Sequence, residues 1–265
     1  MSFIPEVVRS ALALSIREAP LAQSEVGNRL LQLLSAEDFD LLAPHLKRVP
    51  LELNSILAKA GDRIDELCFP EGSVIGFADV LDSGQRLAVA LTGREGFVGW
   101  PLVLGNDRWP QEAIVRAERG TALKIGTAEL LSILAANERI RTVLLRYASS
   151  LMAQMARTIV SNLIHPVESR TARWLLLYHD RVTGDEIAVT HEELGVMLGV
   201  RRSSITDSLH LLEGGGALKG YRGRVIIRDR GRLEELAGET YGFAEREYAR
   251  LLAGAQPEGG PAESI

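Results

Sequence analysis

The apolar positions of this chain follow two different periods. In the middle, short apolar runs at 51–57, 66–70, 73–78, 86–92, 97–100, 112–117 and 121–125 alternate with turn signals such as Gly61-Asp62, Asp82-Ser-Gly84 and Gly93-Arg-Glu-Gly96. Strands at such regular spacing predict an antiparallel sandwich or roll. On either side the period is helical. Residues 28–34 and 39–46 predict two short helices with Ser35 as an N-cap, and 127–134 a short helical piece. From Glu138 to about Leu163, Ile140, Val143, Leu144, Tyr147, Leu151, Met155, Thr158, Ile159 and Asn162 recur at steps of three and four, so one long helix carries an apolar stripe. His165-Pro166 stops that helix, because proline disfavours helical geometry in the residue before it.

A second helical signal is more specific. Leu194 and Leu198 share one face of a short helix, while Ile205, Leu209 and Leu212 share a face of the next. Gly199 lies between them, where the chain must turn with a positive φ. Thr190 and Glu193 form a capping-box pattern at the start of the first helix. Arg201, Arg202, Ser203 and Ser204 open the second, where N–H groups, hydroxyls and basic side chains can meet phosphates and base edges. The glycine-rich stretch after Glu213 then predicts a β-hairpin with its tip near 221–224 and a returning strand at 225–227. A helix-turn-helix followed by a basic hairpin is a winged DNA reader.

Separated blocks in one order carry a resemblance: Asn162-Leu-Ile-His-Pro-Val-Glu-Ser-Arg170, Ala172-Arg-Trp-Leu-Leu-Leu177, His179-Asp180-Arg181, Thr190-His191, Leu198-Gly-Val-Arg-Arg202, Arg222-Gly-Arg224 and Asp229-Arg230. From residue 162 to 236 the chain resembles the C-terminal winged-helix domain of the Crp/Fnr superfamily of bacterial transcription regulators. The resemblance implies an α+β fold: an N-terminal double-stranded, jelly-roll-like antiparallel β-roll, a long central dimerisation helix and a C-terminal winged helix-turn-helix. The matching divisions are an N-terminal extension at 1–28, an effector-sensing roll at 29–135, the central helix at 136–164, the winged helix at 165–240 and a partly disordered tail at 241–265. The extension reads as an amphipathic helix and polar connector, and the tail's proline- and glycine-rich end is too polar to pack.

Composition narrows the partners. A net charge of −5 argues against a generally basic coat, yet between Arg201 and Arg232 eight basic residues face three acidic ones. The single cysteine, Cys68, excludes an internal disulfide or a multi-cysteine metal centre supplied by one chain, which departs from the oxygen-sensing members of the superfamily. Its apolar neighbours favour a buried thiol over a redox switch. No metal-ligand spacing, phosphate-binding glycine loop or nucleophile–histidine arrangement points to an enzyme. His191 and His210 read as structural or DNA-proximal residues. No stretch reaches a membrane-spanning length, so a cytoplasmic protein is expected.

The roll departs from the cyclic-nucleotide pattern that the resemblance brings with it. There, a glycine-rich turn with a Glu, and an Arg about ten residues on, cradle ribose and cyclic phosphate. Here Gly99 matches, Trp100 replaces the Glu and Gln111 falls at the Arg position; Arg108 substitutes only if the loop is remodelled. Cyclic AMP is therefore not expected, and the cofactor is unknown. Gly99, Trp100, Arg108, Trp109 and Gln111 are the candidate pocket residues. Two readings stay open: a pocket for an apolar or aromatic small molecule, or a roll filled by its own aromatics.

The expected function is a transcription regulator of Crp/Fnr type that binds a palindrome in double-stranded DNA as a homodimer. Candidate DNA contacts are Arg201, Arg202, Ser203, Ser204, Thr206, Asp207, Arg222 and Arg224; the resemblance aligns Arg202, Ser203 and Asp207 with base-contacting positions, and Arg222 and Arg224 on the wing are read as phosphate contacts. The expected dimer seam is Ile140, Val143, Leu144, Tyr147, Leu151, Met155 and Ile159, with RNA polymerase a further candidate partner. The alternative is a small-molecule-binding protein whose winged helix docks another protein.

Overall fold

The computed structural model describes residues 21–117 and 119–253. The N-terminal amphipathic helix and the tail from residue 254 lie outside the described residues.

Two short helices, α1 (Arg29–Gln32) and α2 (Ala36–Leu42), lead into the roll. Each is started by a side-chain cap: Leu31 N donates to Asn28 Oδ1 (3.1 Å) and Asp38 N to Ser35 Oγ (3.1 Å). Asn28 is fully buried, and its amide donates to the carbonyls of Pro70 (2.9 Å) and Gly96 (2.8 Å). Seven strands follow: β1 (Lys47–Leu51), β2 (Ile56–Ala58), β3 (Glu66–Pro70), β4 (Val74–Val80), β5 (Arg86–Thr92), β6 (Glu112–Ala117) and β7 (Gly120–Gly126), with α3 (Trp100–Val103) between β5 and β6. They form antiparallel sheets in the orders β1-β7-β3 and β2-β6-β4-β5. Phe69, Phe77 and Phe97 fill the space between them.

The strand expected at 51–57 is two strands of different sheets, because Asn54 takes a left-handed φ of 62° and turns the chain between them. The strand expected at 97–100 is a single bridge from Val98 to Cys68; Gly99, at φ 111°, then opens α3.

Beyond α4 (Thr127–Ala136), α5 (Glu138–Ile164) crosses from the roll to the C-terminal unit. Asn137 caps it, accepting from Ile140 N (3.0 Å), and donates to Asp38 Oδ1 (2.6 Å), which also receives Arg139 (2.9 Å). The apolar stripe expected to meet a second copy is used within the chain. Ile140, Val143, Leu144, Tyr147 and Leu151 are buried in the core of the roll, with Met155 partly buried against it. Tyr147 is the clearest case. Its hydroxyl donates to Thr92 Oγ1 (2.5 Å), its ring lies 5.1 Å from that of Phe97, and a Cβ on Gly96 would overlap it. Of the expected seam only Ile159 is bare, at 61% exposure.

The C-terminal unit comprises α6 (Val167–His179), β8 (Glu186–Ala188), α7 (His191–Leu198), α8 (Arg202–Gly214), β9 (Leu218–Tyr221), β10 (Arg224–Ile227) and α9 (Arg230–Ala237). Pro166 precedes α6 and His165 is extended, so α5 ends at the expected hinge. Residues 171–178 of α6 are all buried, because the roll covers one side of the unit: Val74, Ala88, Leu91 and Ala117 belong to the same apolar cluster as Trp174 and Leu194. The tail begins with an element for which the sequence reading names no helix. Its first part is α10 (Phe243–Leu252), which packs along α5 and buries Leu252 among the residues of the roll core. Ala244, Tyr248 and Leu252 recur at the four-residue helical spacing that produces this face.

Candidate nucleic-acid interface

The helix-turn-helix is built by local chemistry that the chain spells out. Glu193 N donates to Thr190 Oγ1 (3.1 Å) and Thr190 N to Glu193 Oε2 (2.7 Å), completing the capping box on α7. Gly199 ends α7 in the left-handed region at φ 65°. The left-handed φ is the constraint on a side chain there, and a Cβ would also lie 2.5 Å from the Leu87 side chain of β5, which would have to shift. α8 then buries Ile205, Ser208, Leu209 and Leu212 and turns Arg202, Ser203, Asp207, His210 and Leu211 outward. Arg201, just before the helix, is exposed, while Ser204 and Thr206 are half-buried.

The hairpin is the expected wing, with Arg222 and Gly223 at its tip and β8 added on its outer edge. A groove runs between α8 and the wing, lined by Thr190, His191, Arg202, His210, Tyr221 and Arg222. A second groove on the other side of Arg202 is walled by Gly84, Gln85 and Arg86 of the β4–β5 hairpin. Arg202 therefore stands on the ridge between the two, and the roll contributes to the surroundings of the reading helix.

The basic residues divide into two groups. Lys219 pairs with Glu213, Arg224 with Glu186 (3.3 Å), Arg230 with Asp180 (2.7 Å) and Arg232 with Glu235 (3.9 Å). Arg224 also lies 5.2 Å from the Tyr221 ring, so its guanidinium is steered by the wing. Arg201, Arg202, Arg222 and Arg228 have no carboxylate partner within 4.0 Å among the described residues. Of these, Arg201, Arg202 and Arg222 line the two grooves.

His191 belongs in the groove as well, and spacing alone does not place it there. Its Nδ1 lies 2.9 Å from Thr206 Oγ1, linking the first turn of α7 to the outward side of α8. Burial, and then the neighbouring Arg202 and His210, lower its pKa. Its position at the first residue of a capped helix was the available signal.

The candidate effector residues do not converge. Gly99 caps α3, with Leu67 filling the space beside it; Trp100 is half-buried against the roll core. Arg108 is exposed and donates to the Gly61 carbonyl (2.8 Å), away from the roll interior. Gln111 is half-buried, and its Oε1 has no hydrogen-bond partner. Trp109 alone of the five borders a cleft of about 210 Å³, together with Leu57, Cys68, Val98, Arg63 and Lys124. Burial pushes the Cys68 thiol up to about 12, which fits an inert thiol.

Taken together, the roll, the long helix and the winged helix-turn-helix define a protein of the winged helix-turn-helix class. Residues 169–236 match the Crp-like helix-turn-helix domain family. The chain has the fold of solved Crp/Fnr regulators. It is similar to FixK2 from Bradyrhizobium japonicum (TM-score 0.63, 13% identity, covering 72% of this chain and 96% of that one). It is also similar to a CRP-family transcriptional regulator from Thermus thermophilus (0.60, 18%, 73% and 97%) and to the c-di-GMP responsive global regulator CLP of Xanthomonas campestris (0.59, 17%, 73% and 99%). No curated protein matches the chain in sequence. The Crp-like helix-turn-helix domain, within a fold shared with those regulators, supports a DNA-binding transcription regulator. No helix among the described residues is long and apolar enough to cross a membrane.

Proposed function

We propose that the protein binds a palindromic operator as a homodimer, each copy placing α8 in the major groove and its wing on the flanking backbone. The observation that carries this is the outward face of α8: Arg202 and Ser203 are exposed at its N-terminus, and Arg202 shares a groove with Arg222 of the wing. Arg202 is the base reader and Asp207 a discriminating neighbour. Arg201 and Arg222, which have no carboxylate partner, hold phosphate.

The second copy meets α5 on a seam other than the buried stripe. Leu145, Ser149, Met152, Ala156, Ile159 and Leu163 follow one another at steps of four and three, the repeat of a parallel coiled coil. Within the chain Met152, Ile159 and Leu163 are 51%, 61% and 79% exposed, a run of apolar side chains that a partner helix would cover. Arg108 and Gln111 supply no phosphate cradle, so this reading includes no cyclic-nucleotide effector.

Selection of sites from a random DNA pool by the ligand-free protein, followed by affinity against salt, tests the proposal. Enrichment of a palindrome with half-sites about one helical turn apart and a steep salt dependence is the expected result. Failure to enrich any sequence, with and without cyclic AMP, would favour a winged helix that docks protein.

A further inference from the structure

The last helix among the described residues returns from the reader to the sensor. α10 begins beyond the matched helix-turn-helix domain, which ends at residue 236. It lies along α5, with the Arg157 guanidinium 4.0 Å from the Phe243 ring centroid. Four residues before its end it reaches the loop after β5: the Tyr248 hydroxyl donates to the Glu95 carbonyl (2.9 Å). Leu252, 3% exposed, then sits in the roll core.

The same loop receives the reader from the other side. Glu95 Oε1 pairs with Arg181 Nε (2.8 Å), with side-chain exposures of 13% and 7%, and Arg181 follows the end of α6. Nearby, the Gln154 amide of α5 holds both the N–H (2.7 Å) and the carbonyl (3.3 Å) of Leu91. Arg173 of α6, 2% exposed, donates to the carbonyls of Gln154 (3.3 Å) and of Thr240 (3.0 Å), the latter in the segment that leads to α10.

We infer that α10 is an intramolecular clasp that fastens the reader to the sensor across the His165–Pro166 hinge. The reader leaves the sensor through α5 and is anchored to it again by α10, so both of its ends are fixed. With one end fixed, a hinge beside proline lets a domain swing. With two fixed, swinging requires Leu252 to leave the roll core and Tyr248 to release Glu95, besides parting the apolar cluster and the Arg181–Glu95 pair that the reader shares with the roll. Sensor and reader then move as one body, and detachment of α10 becomes the step that precedes any change of their relative pose.

The test uses the full-length protein carrying Leu252→Ser together with Tyr248→Phe, compared with the unaltered chain by hydrogen exchange resolved along the sequence. Neither residue lies in the DNA-facing grooves, and the readout involves no DNA, so the result is independent of the operator proposal. The expected outcome is exchange roughly tenfold faster or more at 91–96 and at 162–168, with β6, β7 and α8 unchanged. Faster exchange confined to α10 would show a helix that covers the junction without fastening it. Acceleration throughout the roll would show that α10 is part of the sensor's core. Either result overturns the clasp.

Discussion

The two faces of α5 carry similar side chains and meet opposite fates. Ile140, Val143, Leu144, Tyr147 and Leu151 are buried in the roll of the same chain, whereas Met152, Ile159 and Leu163 stand bare. The difference teaches that an apolar period reveals a helix with something to cover and leaves the identity of the cover open. This helix of 27 residues is apolar on more than one side, and the stripe with the most conspicuous residues belongs to the roll of its own chain. Tyr147 is decisive here, because Gly96 leaves room for its ring and Thr92 Oγ1 accepts its hydrogen bond.

That contrast can be broken by mutation. Leu144→Ala, on the inner face, should lower stability by about 2–5 kcal/mol in urea unfolding, with any surviving fold still dimeric. A loss below about 1 kcal/mol would mean that the inner face is not core. Ile159→Glu, on the outer face, should leave monomer stability within about 0.5 kcal/mol yet raise the dimer dissociation constant roughly a hundredfold in sedimentation equilibrium. An unchanged dimer would move the seam elsewhere.

Arg202→Ala sharpens the comparison from the DNA side, since only a dimer reads both half-sites. It should cost about 1–3 kcal/mol against the matching base and relax preference there. Equal loss on every sequence would make Arg202 a phosphate contact.

The smallest effect concerns the start of the inner face. Burial alone would raise the Asp38 carboxyl, but Arg139, Asn137 and Ser35 outweigh it and hold its pKa below the ordinary value. A carboxyl depressed by folding contributes stability above its unfolded pKa and loses it as pH falls through the folded one. Asp38→Asn should therefore cost about 1 kcal/mol at neutral pH, with the difference from the unaltered protein shrinking as the solution is acidified below about pH 4. A difference independent of pH would remove the charge from the account.

What was legible in the chain was local. Thr190 with Glu193, Gly199, the leucines of α7 and α8 and Pro166 each act within a few residues, and the structure has the capping box, the turn and the helix break where those residues put them. The wing was legible for the same reason. Features that depend on distant partners were not. Arg224 and Arg230 read as part of a basic face until Glu186 and Asp180 are brought beside them by folding. Two misses had local signals that apolar counting overrode: Asn54 inside an apparent strand, and Gly99 with Pro101 at the start of α3. Phe243 to Leu252 was obscured by the polar end of the tail, although its own spacing is helical.

The contact between Gly199 and Leu87 has a consequence for protein engineering. Winged helices invite exchange as modules, and Pro166 looks like the natural place to splice in a reader of different specificity. Here the turn of the reader rests on a side chain of the sensor, and Val74, Ala88, Leu91 and Ala117 complete its apolar cluster. A graft joined only at Pro166 would arrive without its matching floor. The transferable unit is the reader together with the outward side of β4, β5 and β6, so new specificity is better sought by replacing the exposed residues of α8 within the existing chain.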